Sequence, residues 1–279
     1  MGIFGLSRRQ MVAPDHWVNA THTESKYGVV IGSFGMPGVI ELSIALVRKT
    51  CGDVPILVAD DHTPCSMGQM RLMQLPEKWG NVSVVMTGEN LGHAPGDIRA
   101  YRNGLRWAGE HGIRYICKLS QRFLFTLPGW LPTWCEEMER EKVAVSSQRA
   151  VHLHMGFALR SECVFLDVQR CLASTVFMDR INPLHGKIPT SAEDWLAAAI
   201  NEGGLGPVYR CRLIPVDRFA KREGVVWHNT HGRDDYHNDG GEVYRQLAEE
   251  MGIDLGPEFS AAGWHVIHPN RPDAKYHML

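Results

Sequence analysis

The sequence predicts an α/β fold: a mostly parallel central sheet flanked by helices, followed by a C-terminal extension. Over roughly the first 120 residues, apolar runs of strand length alternate with segments of helical period, joined by short loops. The last of these runs, 113–125 (IRYICKLSQRFLF), alternates Ile113, Tyr115, Cys117 and Leu119 and then meets the polar cluster Ser120-Gln121-Arg122. A buried strand that delivers polar groups to the carboxyl edge of such a sheet places them where α/β folds bind ligands.

Residues 1–25 are polar and poorly periodic and read as an N-terminal arm. The first strand is 27–34 (YGVVIGSF), broken at Gly35-Met36-Pro37-Gly38, where Pro37 suits the first turn of a helix over 37–49. A second strand at 54–59 ends in Asp60-Asp61-His62. A helical piece at 70–75 and a third strand at 82–86 follow, then a polar loop over 87–96. Ile98, Tyr101, Leu105 and Ala108 share one face of a helix over 97–112. Beyond the fourth strand the order changes: helix 128–142, short strands at 143–146 and 153–159 (the second antiparallel), helix 191–200, strand 208–216 and helix 242–251. The expected organisation is an arm (1–25), a main domain (26–215, in two halves, 26–122 and 123–215) and an extension (216–279).

Composition narrows the class. With 44% hydrophobic and 22% charged residues, the 279-residue chain reads as a globular protein with a substantial core. A formal charge of -2 gives no reason to expect nucleic acid as a partner. Seven scattered cysteines without a CxxC pair point to reduced thiols and a cytoplasmic setting. No apolar run approaches the ~20 residues that span a bilayer. The start, MGIFGLSRRQ, lacks a signal peptide's apolar length, and Leu6 breaks the myristoylation pattern. Ile3, Phe4 and Leu6 beside Arg8 and Arg9 leave room for a peripheral contact at the inner membrane face.

Chemistry can sit at several places. Asp60 and Asp61, at a strand end, can accept hydrogen bonds from a ribose or base, or serve an Asx turn or helix cap. Arg102, in the helix after GENLGHAPGD, carries a fork suited to phosphate, with Arg99 and Arg106 as neighbours. Neither GxGxxG nor GxxxxGK[ST] occurs, which removes the commonest dinucleotide and NTPase readings. In TSAEDWLAAAI, Glu193 or Asp194 could act as a general base, while Ser191-x-x-Asp194 also reads as a capping box. His228 and His231, with Asp234 and Asp235 nearby, are candidate metal ligands, although His-x-x-His is no zinc signature by itself.

In order and spacing these pieces resemble the GT-A glycosyltransferases, nearest to the inverting family-2 type, over residues 27–196. The resemblance implies transfer of a sugar from a nucleotide-activated donor to a hydroxyl acceptor, a glycan or lipid-linked polysaccharide precursor. It implies that Asp60 and Asp61 contact the nucleoside, Arg102 lies near the base or diphosphate, and Ser33, Phe34, Ser120 and Gln121 belong to the donor site. Gly156 through Arg160 would line the acceptor side, and Asp194, with Glu193 beside it, would match the base. The chain departs from the family where Ser120-Gln121-Arg122 replaces the metal-binding D-x-D. Ser and Arg are no ligands for Mg²⁺ or Mn²⁺, so Arg122, with Lys118 and Arg102, would stabilise the leaving diphosphate instead. A catalytically inactive domain that binds a glycan or partner enzyme is the competing reading.

Overall fold

The computed structural model describes residues 15–121, 123–147, 159–183, 191–213, 225–227, 239–257 and 259. Arg122, Gly156, His228 and His231 lie outside the described residues, as do 1–14 and most of the strand expected at 153–159.

Four strands, β2 (Tyr27–Ser33), β3 (Ile56–Asp60), β4 (Val82–Met86) and β5 (Tyr115–Ser120), form the parallel centre of the sheet. Three more, β7 (Val145–Ser147), β8 (Cys163–Asp167) and β9 (Tyr209–Arg210), extend one side, and β1 (His16–Val18) closes the other. The eight-stranded order is β1-β4-β3-β2-β5-β8-β7-β9, with β8 antiparallel to β5 and β1 antiparallel to β4. The central strands are apolar on both faces because both faces are covered. Val30, Leu57, Val85 and Ile116 point to the side of α4 (His93–Glu110), α6 (Val168–Ala173) and α8 (Ala192–Glu202). Val29, Ile31, Val58 and Cys117 point to the side of α1 (Pro37–Cys51), α2 (Ser66–Met73), α3 (Leu75–Trp79) and α5 (Trp130–Arg140).

Several boundaries differ from the sequence reading for identifiable reasons. The piece expected at 70–75 is two helices, α2 and α3, parted at Gln74 just before Pro76. Helix α4 starts at His93 rather than 97, since Pro95 is tolerated in a first turn where no N–H is needed. The sequence reading did not include β8, antiparallel to β5, or α6 and α7 (Thr175–Arg180), although Asp167 and Ser174 cap the two helices. Of the strand expected at 208–216, only Tyr209–Arg210 is a strand among the described residues.

The end of the arm is not loose. Beyond the β1–β4 ladder, Asp15 pairs with Arg99 of α4, and His22 bonds to Asn81 and Ser83. The extension is also packed in: α9 (Asp239–Met251) places Val243, Tyr244 and Ala248 against Met36, Val39 and Leu42. Gly38 makes this possible, because a Cβ there would stand 2.2 Å from the Leu255 carbonyl oxygen. A separate ribbon pairs β6 (Phe123–Phe125) with β10 (Val225–Trp227). Among the described residues no helix is long and apolar enough to cross a membrane.

Candidate active site

Strand order reverses at β2, with β3 and β4 to one side and β5 to the other. The carboxyl ends flanking such a reversal open a crevice, and a cleft lies there. Its walls come from Ser33 and Phe34 after β2, Asp61 after β3, Ser120 and Gln121 at the end of β5, and Ser161 and Glu162 leading into β8. Helix α4 contributes His93, Gly96, Asp97 and Ala100 from its first two turns, and α8 contributes Glu193.

The two aspartates after β3 have structural work. Asp60 is buried; Ser33 Oγ donates to it at 2.8 Å, Thr63 N at 2.7 Å and Thr63 Oγ1 at 2.7 Å. Asp61 accepts the backbone N–H groups of Leu91 and Gly92, each at 3.1 Å, and so ties the loop entering α4 to the end of β3. Gly96 lets that carboxylate lie against the helix, since a Cβ would come within 2.4 Å of Oδ2. Burial pushes the Asp61 carboxyl up to about 7, against the pull of the two amides. Of the pair, only Asp61 reaches the cleft wall.

Lys118 is fully buried beneath the floor. Its ammonium pairs with Asp97, donates to the Ser161 carbonyl at 3.3 Å and sits 4.7 Å from the centre of the Tyr101 ring. The expectation that it offers a free charge to an anion is therefore corrected: its charge is matched by a carboxylate 21 positions earlier. Arg102 is not in the cleft wall either. It stands two residues past Ala100, about 200° round the helix, and burial with Arg106 and Arg99 nearby holds its pKa below the ordinary value. Arg160 lies outside the walls too; its carbonyl accepts from Ser147 Oγ at 2.9 Å.

The carboxylates opening α8 separate clearly. Asp194 is exposed and closes a cap with Ser191, whose Oγ donates to Oδ2 at 2.9 Å and accepts the Asp194 N–H at 3.0 Å. Glu193, one residue earlier and about 100° round the helix, lines the cleft. Of the two carboxylates that the sequence offered, Glu193 lines the cleft and Asp194 does not. Asp97, Gly96, Ser161 and Glu162 had escaped notice, because they sit in a helix start and a strand approach with no motif of their own.

No family model and no curated protein matches the sequence. Solved structures do. The mannosyltransferase PcManGT from Pyrobaculum calidifontis, in complex with GDP-Man and Mn²⁺, is similar at 12% identity and TM-score 0.51, over 74% of this chain and 61% of that one. The galactosyltransferase LgtC, in complex with donor and acceptor sugar analogs, is similar at 11% identity and TM-score 0.53, over 83% of this chain and 98% of that one. The chain has the GT-A fold of these enzymes.

Proposed function

We propose that the protein is a glycosyltransferase that moves a sugar from a nucleoside diphosphate onto a hydroxyl of a glycan or lipid-linked acceptor, with inversion at the anomeric carbon. The observation that carries this reading is Glu193: a carboxylate at a helix start, in one cleft with the ends of β2, β3 and β5. The fold likeness to sugar-transferring enzymes supports the donor class.

In this reading the nucleotide lies over the strand ends, with Ser33 and Phe34 at the turn after β2 and Asp61 and the start of α4 along its side. Glu193 takes the proton of the acceptor hydroxyl as the oxygen attacks the anomeric carbon. The bonding pair of the breaking C–O bond leaves with the diphosphate, whose growing charge must meet fixed donors in the cleft. Asp194 holds the helix that presents Glu193. A peripheral membrane contact through residues 3–9 would suit a lipid-linked acceptor.

A panel of sugar nucleotides, each incubated with hydroxyl acceptors and followed by mass spectrometry, tests the reading. The expected result is a glycosylated product from at least one donor. A properly folded protein that consumes none of them contradicts it.

A further inference from the structure

A divalent cation is what the fold family implies at the end of β5, and the residues there do not fit one. Mg²⁺ and Mn²⁺ take oxygen ligands, chiefly carboxylates, whereas β5 ends in Ser120 and Gln121. The amide oxygen of Gln121 is already committed, accepting the Phe34 backbone N–H at 2.8 Å. Among the described residues no group of three His, Cys, Asp or Glu side chains is placed to hold a metal.

We propose that Ser120 and Gln121 bind the diphosphate of the donor through direct hydrogen bonds, in the place where the family uses a cation. The proposal rests on the glycosyltransferase reading and specifies how that site holds its anion. A backbone N–H can only donate, so the Phe34 contact fixes which end of the Gln121 amide is oxygen. Nε2, with two N–H donors, is therefore the free end of a side chain that lines the cleft, and no described residue accepts from it. Ser120 is held by its own backbone N–H, which donates to the Glu162 carbonyl at 2.7 Å. Ser120 lines the cleft, and its hydroxyl is buried with no partner among the described residues. A buried hydroxyl left unpaired costs stability, and a phosphate oxygen would satisfy it.

Two carboxylates of the walls are engaged. Asp97 is paired through one oxygen with the buried Lys118, and Asp61 is turned toward the Leu91 and Gly92 amides. A diphosphate on Ser120 and Gln121 thus has neutral donors beside it and a matched ion pair below it. Glu162 and Glu193 are the two further carboxylates of the walls, and in the glycosyltransferase reading the sugar and acceptor would take the space toward Glu193.

Gln121→Glu tests this, because Glu keeps an oxygen for the Phe34 N–H and replaces the Nε2 donors with an anionic oxygen. UDP, GDP, ADP, CDP and dTDP are titrated calorimetrically into wild type, Gln121→Glu and Ser120→Ala, each with chelator and with Mn²⁺. Wild type should bind at least one nucleotide equally well in both conditions. Gln121→Glu should weaken binding about ten- to hundredfold in chelator and recover with Mn²⁺, while Ser120→Ala should weaken it in both conditions. Wild-type binding that is abolished by chelator and restored by Mn²⁺, or a Gln121→Glu affinity unchanged in chelator, overturns the proposal while leaving the glycosyltransferase reading intact. Absence of binding by wild type in both conditions sinks that reading and the proposal with it.

Discussion

The ammonium of Lys118, on β5, is paired with the carboxylate of Asp97, on α4, and the pair joins the sheet to the helix directly under the cleft. Removing one partner of a buried pair strands the other, which costs about 3–5 kcal/mol. Lys118→Met and Asp97→Asn should each destabilise the fold by that order. The double variant should recover much of the loss, as replaced buried pairs do. Urea unfolding of the four proteins measures the coupling, and additive losses would show that the two side chains act independently.

Asp61 gives the stability a pH dependence of definite sign. Its carboxyl is raised from 3.8 to about 7 by burial, so the folded state binds its proton more tightly than the unfolded state does. The contribution is fully present below about 3.8 and is lost as pH rises through about 7. Asp61→Asn removes it, so the stability difference between wild type and variant should shift against wild type between those limits. Thermal melts across that range check this, and a pH-independent difference would count against it.

His22 runs the other way. Burial lowers its pKa from 6.5, with the Asn81 hydrogen bond opposing and His111 and Arg48 adding like charge. Asn81 Nδ2 donates to the Asp53 carbonyl at 2.7 Å, so Oδ1 must receive the Nδ1–H of His22 at 2.7 Å. Nε2 is left to accept from Ser83 Oγ at 2.7 Å and the Trp107 indole N–H at 3.3 Å. A proton on Nε2 breaks that arrangement. The stability His22 gives the arm is present above 6.5 and is lost as pH falls through its lowered folded value. Amide exchange at Trp17 and Ala20, corrected for intrinsic rates, should accelerate at acid pH. The acceleration should be absent in His22→Asn; equal acid sensitivity in that variant would reassign the effect.

The fold was legible because its signal is local. Strands such as 27–33 and 56–60 are short unbroken apolar runs, and helix α4 repeats Ile98, Tyr101, Leu105 and Ala108 on one face. The walls of the cleft were half legible. Ser33, Phe34, Asp61, Ser120 and Gln121 follow strands, so their position in sequence gives their position in space. Lys118 was misread because its partner Asp97 sits on another element, and no spacing rule links a strand to the helix packed on it. Glu193 and Asp194 are adjacent, and only the cap made by Ser191 decides which of them turns inward. The strand β1 within the arm was not legible, since three residues of edge strand carry too little pattern to stand out.

The paired variants Glu193→Gln and Asp194→Asn, assayed on whichever sugar nucleotide wild type consumes, test the central claim most directly. Glu193→Gln should lower turnover about 10²–10⁴-fold with nucleotide binding nearly intact. Asp194→Asn keeps the backbone N–H that Ser191 caps and an oxygen for the Ser191 hydroxyl, and it should keep most of its rate. Wild-type turnover in Glu193→Gln, with the loss falling on Asp194→Asn instead, would contradict it.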